Sequence, residues 1–129
     1  MDRDAMRERA TAVLSAWNSH DVARVVACYT EDCVYLDPNT RGAITGRAAF
    51  GRYLTRLFRD WRMNWSLREF FPFGDGSGGA FLWDAQLTPV SGGSSAAISG
   101  MDLVVLRGDQ MARNEVYFDR MALVGNGSQ

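Results

Sequence analysis

The stretch CVYLDPNTRGAITG, residues 33–46, decides how this chain is read. Cys33, Val34, Tyr35 and Leu36 form a short apolar run with strand character. The run ends at Asp37–Pro38, where proline removes a backbone donor and pushes the preceding residue out of helical geometry. Pro38, Asn39 and Gly42 then make a loop, and Gly46 opens a helix. Side chains alternate along a strand, so Cys33, Tyr35 and Asp37 share one face. Asp37 is thus either a turn former in front of a proline or a carboxylate at the mouth of an apolar pocket, and both readings stay open on the residues alone.

Working toward the N-terminus, Met6, Ala10, Val13, Leu14 and Trp17 recur at helical spacing and predict an amphipathic helix over 3–18. NSHD interrupts it. Asp21 is a good N-cap for a second helix over 22–29, which buries Val22, Val25, Val26 and Tyr29. TED reads as a turn, and strand one runs from Cys33 to Asp37. Toward the C-terminus, residues 47–60 predict a third helix. Phe50, Tyr53, Leu54, Leu57, Phe58 and Trp61 lie along its broad apolar face, with Arg47, Arg52, Arg56 and Arg59 outside. Four strands follow, over 62–73, 80–90, 96–107 and 111–124, separated by the turn sequences GDGSGG, SGGSS and GDQ. Residues 1–125 read as one domain and 126–129 as a flexible tail. Helices segregated from an antiparallel meander imply an α+β fold.

The 129 residues are 47% hydrophobic with a net charge of −1, enough apolar material for a single core. No basic run suggests nucleic acid or an anionic membrane surface as a partner, and no apolar run reaches the roughly 20 residues of a membrane span. The N-terminus does not resemble a signal peptide, so the expected location is cytoplasmic. All 14 Lys-plus-Arg residues are arginine. Without lysine there is no Schiff base and no Walker A loop. Cys28 and Cys33 read as small core residues. The one histidine, His20, falls in a surface turn between helices, so neither a zinc cluster nor a Ser-His-Asp triad is expected. Chemistry on this chain falls to carboxylates, tyrosine hydroxyls, arginine or water, with no cofactor.

Two further polar residues, Asp102 and Asn114, draw notice. Asp102 interrupts the apolar strand GMDLVVL, sharing a face with Gly100 and Val104, and Asn114, Val116 and Phe118 share a face on the last strand. An ionised Asp in such a strand costs several kcal/mol as an order of magnitude unless it is paired, solvated or protonated. Aromatic residues on elements that should meet (Trp17, Tyr29, Tyr35, Phe50, Tyr53, Phe81, Trp83 and Phe118) form either a core or a ring-lined pocket for a hydrophobic small molecule.

At these residues the chain resembles the ketosteroid isomerase and SnoaL-like polyketide cyclase group of the nuclear transport factor 2-like superfamily. HDVARVVACYTEDCVYLDP is similar to the family's second helix and first strand, ITGRAAFGRYL to its Gly-Arg helix start, and GMDLVVLRGDQMARNEVYFD to its last hairpin. The resemblance implies a conical curved antiparallel sheet wrapped around three helices of the N-terminal half, and commonly a homodimer. Ketosteroid isomerase is a standard illustration of paired carboxylates with opposite protonation. By resemblance its general base corresponds to Asp37 and its protonated oxyanion donor to Asp102. The family's supporting tyrosine corresponds to Tyr29, with Tyr53 one position from another. The isomerase's further tyrosine donor corresponds to Val13, which has no proton to give. The Arg and two Asp of limonene epoxide hydrolase-like members correspond to Trp83, Ala85 and Val116, so that triad is absent. The acid of SnoaL-like cyclases falls near Glu115, and their histidine at Asp102. The resemblance therefore implies catalytic Asp37 and Asp102, with Trp17, Tyr29, Tyr35, Phe50, Tyr53, Phe81, Trp83, Val104, Asn114, Val116 and Phe118 around a hydrophobic carbonyl substrate. The expected reaction is isomerisation or cyclisation; the alternative is a non-catalytic hydrophobic-ligand-binding or dimerisation module.

Overall fold

Helix α1 (Arg3–Ser19) begins where Asp2 caps it, the carboxylate accepting the Ala5 N–H at 2.8 Å, and ends at His20 in the left-handed region with φ 57°. The computed structural model describes residues 2–123. After α1 come α2 (Val22–Val26), β1 (Tyr29–Leu36), β2 (Ile44–Thr45), α3 (Arg47–Asp60), β3 (Trp61–Pro72), β4 (Gly78–Pro89), β5 (Ala96–Arg107) and β6 (Gln110–Phe118). The strands form one curved open sheet in the order β2-β1-β6-β5-β4-β3. Neighbours run antiparallel except β1 and β6, which are parallel. Alternation along each strand sends one set of side chains onto the helices. Cys33, Tyr35, Phe81, Trp83, Val104 and Val116 join Val13, Trp17, Phe50 and Leu54 in a single core. The expected α+β architecture is what the chain adopts.

Five local expectations need correction. The second helix stops at Val26 rather than 29. Its β-branched valines are poor helix formers, and five residues cannot sustain a helix without tertiary support. Asp21 does cap it, accepting the Arg24 N–H at 3.2 Å. Strand β1 therefore starts at Tyr29, and the TED segment is not a turn but an irregularity in the β1–β6 register between Tyr29 and Val34. The Tyr29 carbonyl is held instead by Arg47, whose Nε and Nη2 reach it at 2.9 and 2.5 Å. Arg47 is therefore half-buried, not an outer-face residue. Within the expected loop, Ile44 and Thr45 pair with Tyr35 and Val34 to make β2. Gly46, at φ 88°, then turns the chain into α3. The last strand ends at Phe118, where Asp119 accepts the Met121 N–H at 2.9 Å and bends the chain away. Val124 and the expected tail lie outside the described residues.

His20 is not a free surface residue. Its Nε2 accepts the Met63 N–H at 2.9 Å, which leaves Nδ1 to donate to the Asn18 carbonyl, also at 2.9 Å. Asn18 completes the attachment. Its Oδ1 accepts the Trp65 N–H at 2.7 Å and its Nδ2 donates to the Trp65 carbonyl at 3.0 Å. Strand β3 is at the end of the sheet, so its outer backbone groups have no neighbouring strand. The last turn of α1 supplies side-chain partners in place of one.

Gly100 on β5 sits opposite Trp83 and Phe118, whose rings meet over it with centroids 6.0 Å apart. A Cβ there would lie 2.5 Å from both Trp83 Cζ2 and the Tyr117 carbonyl oxygen, and the second neighbour is backbone. We expect Gly100→Ala to cost about 1–3 kcal/mol. Gly74→Ala, where an added Cβ meets nothing within 4 Å, should be close to neutral. Urea unfolding of both variants checks the contrast.

Candidate functional site

The site is built around two acids that the fold buries from opposite directions. Asp37 follows the last residue of β1 and is 8% exposed; Asp102 lies mid-way along β5 and is 7% exposed. Asp37 Oδ1 accepts the Asn39 N–H at 2.7 Å and the Thr40 N–H at 3.1 Å, the geometry of a turn former. Its Oδ2 accepts the Tyr35 hydroxyl at 2.7 Å and, in a very short contact, the Tyr53 hydroxyl. The two readings of DPN are therefore not exclusive. One carboxylate oxygen holds the loop and the other turns inward to two phenols. Burial, and next the Asp37 charge, raise the pKa of both Tyr35 and Tyr53, so each remains a donor. All four of the carboxylate's usual acceptor positions are occupied, and Asp37 takes a proton only when one donor yields. Of the two phenols, Tyr53 is the more exposed.

Asp102 is held in a chain of side chains that crosses five elements. Trp17 on α1 donates through Nε1 to the Tyr29 hydroxyl at 3.3 Å. Tyr29 on β1 donates to Asn114 Oδ1 at 2.7 Å, and Asn114 on β6 donates through Nδ2 to Asp102 Oδ2 at 2.9 Å. From the other side Trp83 on β4 donates through Nε1 to Asp102 Oδ1 at 2.7 Å. Burial pushes the Asp102 carboxyl up to about 7. The Asn114 and Trp83 hydrogen bonds oppose that rise, and the Asp37 charge adds to it. Around neutral pH a large fraction of Asp102 is then a carboxylic acid with an O–H to donate.

Three cavities adjoin one another through common wall residues. The outermost is an open depression of about 720 Å³, walled by Ile44, Tyr53, Leu57, Trp61 and Leu123, with Arg41, Arg56, Arg120 and Asp60 around it. Asn39, Tyr53, Leu57, Trp61 and Leu123 also wall the next, a space of about 30 Å³ that includes Asp37. Trp17, Tyr35, Trp65 and Val116 are common to that space and a third, about 20 Å³, which includes Asp102 and Val13. The ring-walled hollow expected from the sequence is thus largely filled by its own rings. The inner spaces are of the order of one water molecule, against the ~300–1,000 Å³ of an ordinary small-molecule pocket.

The expected lining divides accordingly. Trp17, Tyr35, Tyr53, Trp83, Val116 and Phe118 face the inner cavities. Tyr29 and Asn114 lie behind them in the hydrogen-bonded chain, and Phe50 packs against Tyr29 and Tyr35 with centroids 4.7 Å away in both cases. Phe81 and Val104 are instead beside a separate small cavity with Met6 and Phe70. Glu115, the residue at the cyclase acid position, turns to the opposite face of β6, where Arg113 and Tyr117 bind its carboxylate. Trp65 and Met63 also line the inner spaces and are not among the residues expected from the sequence. Their signal is the alternation Trp61-Met63-Trp65 on β3, which brings all three to the inner face.

The family described as the SnoaL-like domain matches residues 10–114. Among solved structures, TerC, co-crystallised with polyporic acid, superposes with TM-score 0.83 at 17% identity, over 97% of this chain and 99% of that one. SalBIII, an epoxide hydrolase/cyclase-like enzyme with a role in pyran ring formation in the polyether salinomycin, gives 0.83 at 19% identity, over 94% and 95%. A Catenulispora acidiphila protein of ketosteroid isomerase-like fold, in complex with trimethylamine, gives 0.78 at 17% identity, over 94% and 92%. At these identities the likeness is one of fold. No curated protein matches the chain.

The Asp102 shift has a consequence for stability. The unfolded chain releases this proton near its ordinary 3.8, the folded chain near 7. Between those values the native state holds a proton that the unfolded state has lost, so this contribution is complete below about pH 4 and falls as pH rises toward 7, by ~1.4 kcal/mol per unit at most. Asp102→Asn removes it. The urea-midpoint difference, wild type minus variant, should decline between pH 4 and pH 7.5; a constant difference would assign Asp102 an ordinary titration.

Proposed function

Because the chain belongs to the SnoaL-like family, we propose that it is a cofactor-independent enzyme that uses Asp37 to abstract a proton from the carbon beside a carbonyl of a hydrophobic compound. The observation that carries this reading is the pair of buried acids on adjoining cavities, with Asp102 pushed up to about 7. The chemistry needs two carboxyl groups in opposite states. As a carboxylate, Asp37 accepts the proton when Tyr53 yields. As an acid, Asp102 donates to the oxygen where negative charge develops, in surroundings from which water is largely excluded. The product is a shifted double bond or, when the enolate attacks a second carbonyl, a closed ring.

The cavity sizes favour a substrate whose body stays in the outer depression and whose carbonyl end passes Tyr53. Leu57, Trp61 and Leu123 offer apolar contact to that body, and Trp17, Tyr35 and Phe118 to the end that enters. Three arginines against Asp60 make the mouth positive, which suits an acidic substituent. The proposal includes a homodimer. Phe71, Met101 and Tyr117, all exposed on the outward face of the sheet, would supply apolar surface for it.

A second reading is a non-catalytic binding module. The full set of donors around Asp37 favours it, since a saturated carboxylate is a sound loop cap. Exchange chemistry separates the two readings whatever the natural substrate. Hydrophobic ketones are incubated with the protein in D₂O, and deuterium uptake beside the carbonyl is followed by mass spectrometry. The enzyme reading expects uptake that falls about 10²–10⁴-fold in Asp37→Asn, with the circular dichroism spectrum unchanged. Equal uptake in both proteins would remove Asp37 from the mechanism.

A further inference from the structure

Three indoles meet around the inner cavities, and two have their N–H groups engaged. Trp17 donates to Tyr29 and Trp83 to Asp102. Trp65 Nε1 is also shielded from the surface, yet it meets no acceptor among the described residues. A buried indole N–H ordinarily finds one. The ring is not free to turn elsewhere. Asn18 holds the Trp65 backbone at both its N–H and its carbonyl. The indole packs edge to face on Trp83, centroids 4.5 Å apart at 84°, and on Trp17, 6.1 Å apart at 74°.

The place of this spare donor matters. Trp65 is in the wall common to the Asp37 cavity and the Asp102 cavity, and each space admits about one oxygen atom. Val13 lines the Asp102 cavity as well, without a donor of its own. Any oxygen seated between the two acids therefore has Trp65 beside it, while α1 offers no spare donor there: Val13 and Leu14 are hydrocarbon, and the Trp17 N–H is engaged by Tyr29.

We propose that the Trp65 indole N–H is a hydrogen-bond donor to the substrate's carbonyl oxygen. The inference rests on the proposed reaction. As Asp37 takes the α-proton, the C–H pair becomes the new carbon–carbon π bond and the carbonyl π pair moves onto oxygen. Trp65 and Asp102 then stabilise the resulting enolate until a proton returns from Asp37 to carbon. The ligands recognised are those with a carbonyl, enolate or phenolate oxygen at the end of an apolar framework.

The test uses 2-naphthol, a flat phenol whose oxygen imitates the enolate, titrated into the ¹⁵N-labelled full chain while the four tryptophan indole resonances are followed. The Trp65 signal, assigned by its loss in Trp65→Phe, should move downfield and saturate. Trp65→Phe should bind 2-naphthol about tenfold more weakly, the loss expected for one buried hydrogen bond. Its deuterium exchange should fall about 10²-fold, with Tyr53 and Asp37 unaltered. Saturable binding that leaves the Trp65 resonance in place overturns the donor role, and so does exchange that depends on Asp37 but not on Trp65; both leave the reaction standing. No saturable binding and no exchange overturns the two together. If Trp65→Phe does not fold, the Trp65 signal is assigned in the wild type by its through-space contacts to the Trp17 and Trp83 rings, and that titration decides.

Discussion

A carboxyl group placed in the middle of a core strand has to be accommodated by everything around it, and Asp102 imposes that demand here. Its two oxygens take hydrogen bonds from β4 and β6, and through Asn114 the chain continues to β1 and α1. Asn114, 1% exposed, is the joint: its amide nitrogen serves the acid and its oxygen serves Tyr29. Removing any member leaves a buried polar atom alone, at a cost of roughly 1–3 kcal/mol. The network thus ties helix and sheet layers together through directional contacts, where apolar packing alone would accept many near-equivalent arrangements.

The same network explains why the hollow is small. Trp17 and Trp83 must reach in to satisfy Tyr29 and Asp102, and their rings bring bulk with them. Trp65 fits against both. Space that the curved sheet would otherwise leave under its concave face is taken by indoles, and the large open volume is displaced outward to the surface between α3, the 39–44 loop and Leu123. The open volume and the burial of the acids are therefore settled by different parts of the molecule.

Much of the architecture was legible because it depends on period. Alternation put Cys33, Tyr35 and Asp37 on one face, as it did Asp102 with Val104 and Asn114 with Val116, and the fold buries each of these sets. The third helix matched at both ends, since Gly46 opens it and the aromatic face runs out at Trp61. What periodicity misses is contact between distant segments. Nothing in TED announces a register shift whose orphaned carbonyl is covered by Arg47. The two-residue strand β2 has no pattern of its own and exists because Val34 and Tyr35 offer it an edge. The resemblance brought Asp37 and Asp102 forward, but whether rings surround a space or fill it is a matter of volumes, which residue types do not state. Glu115 shows the sensitivity: one step along β6 separates the inner Asn114 from an acid bound on the outer face.

The attachment of α1 to the sheet has a bearing on how copies of the chain can meet. An end strand with free backbone groups invites another molecule to extend the sheet by main-chain pairing. Along the first half of β3 that invitation is withdrawn, because His20 and Asn18 already occupy the groups a newcomer would use. A visiting strand would have to detach the last turn of α1 before it could hydrogen-bond, and in doing so would loosen Trp65. On that side, edge-to-edge growth of the sheet is closed off by the chain's own helix.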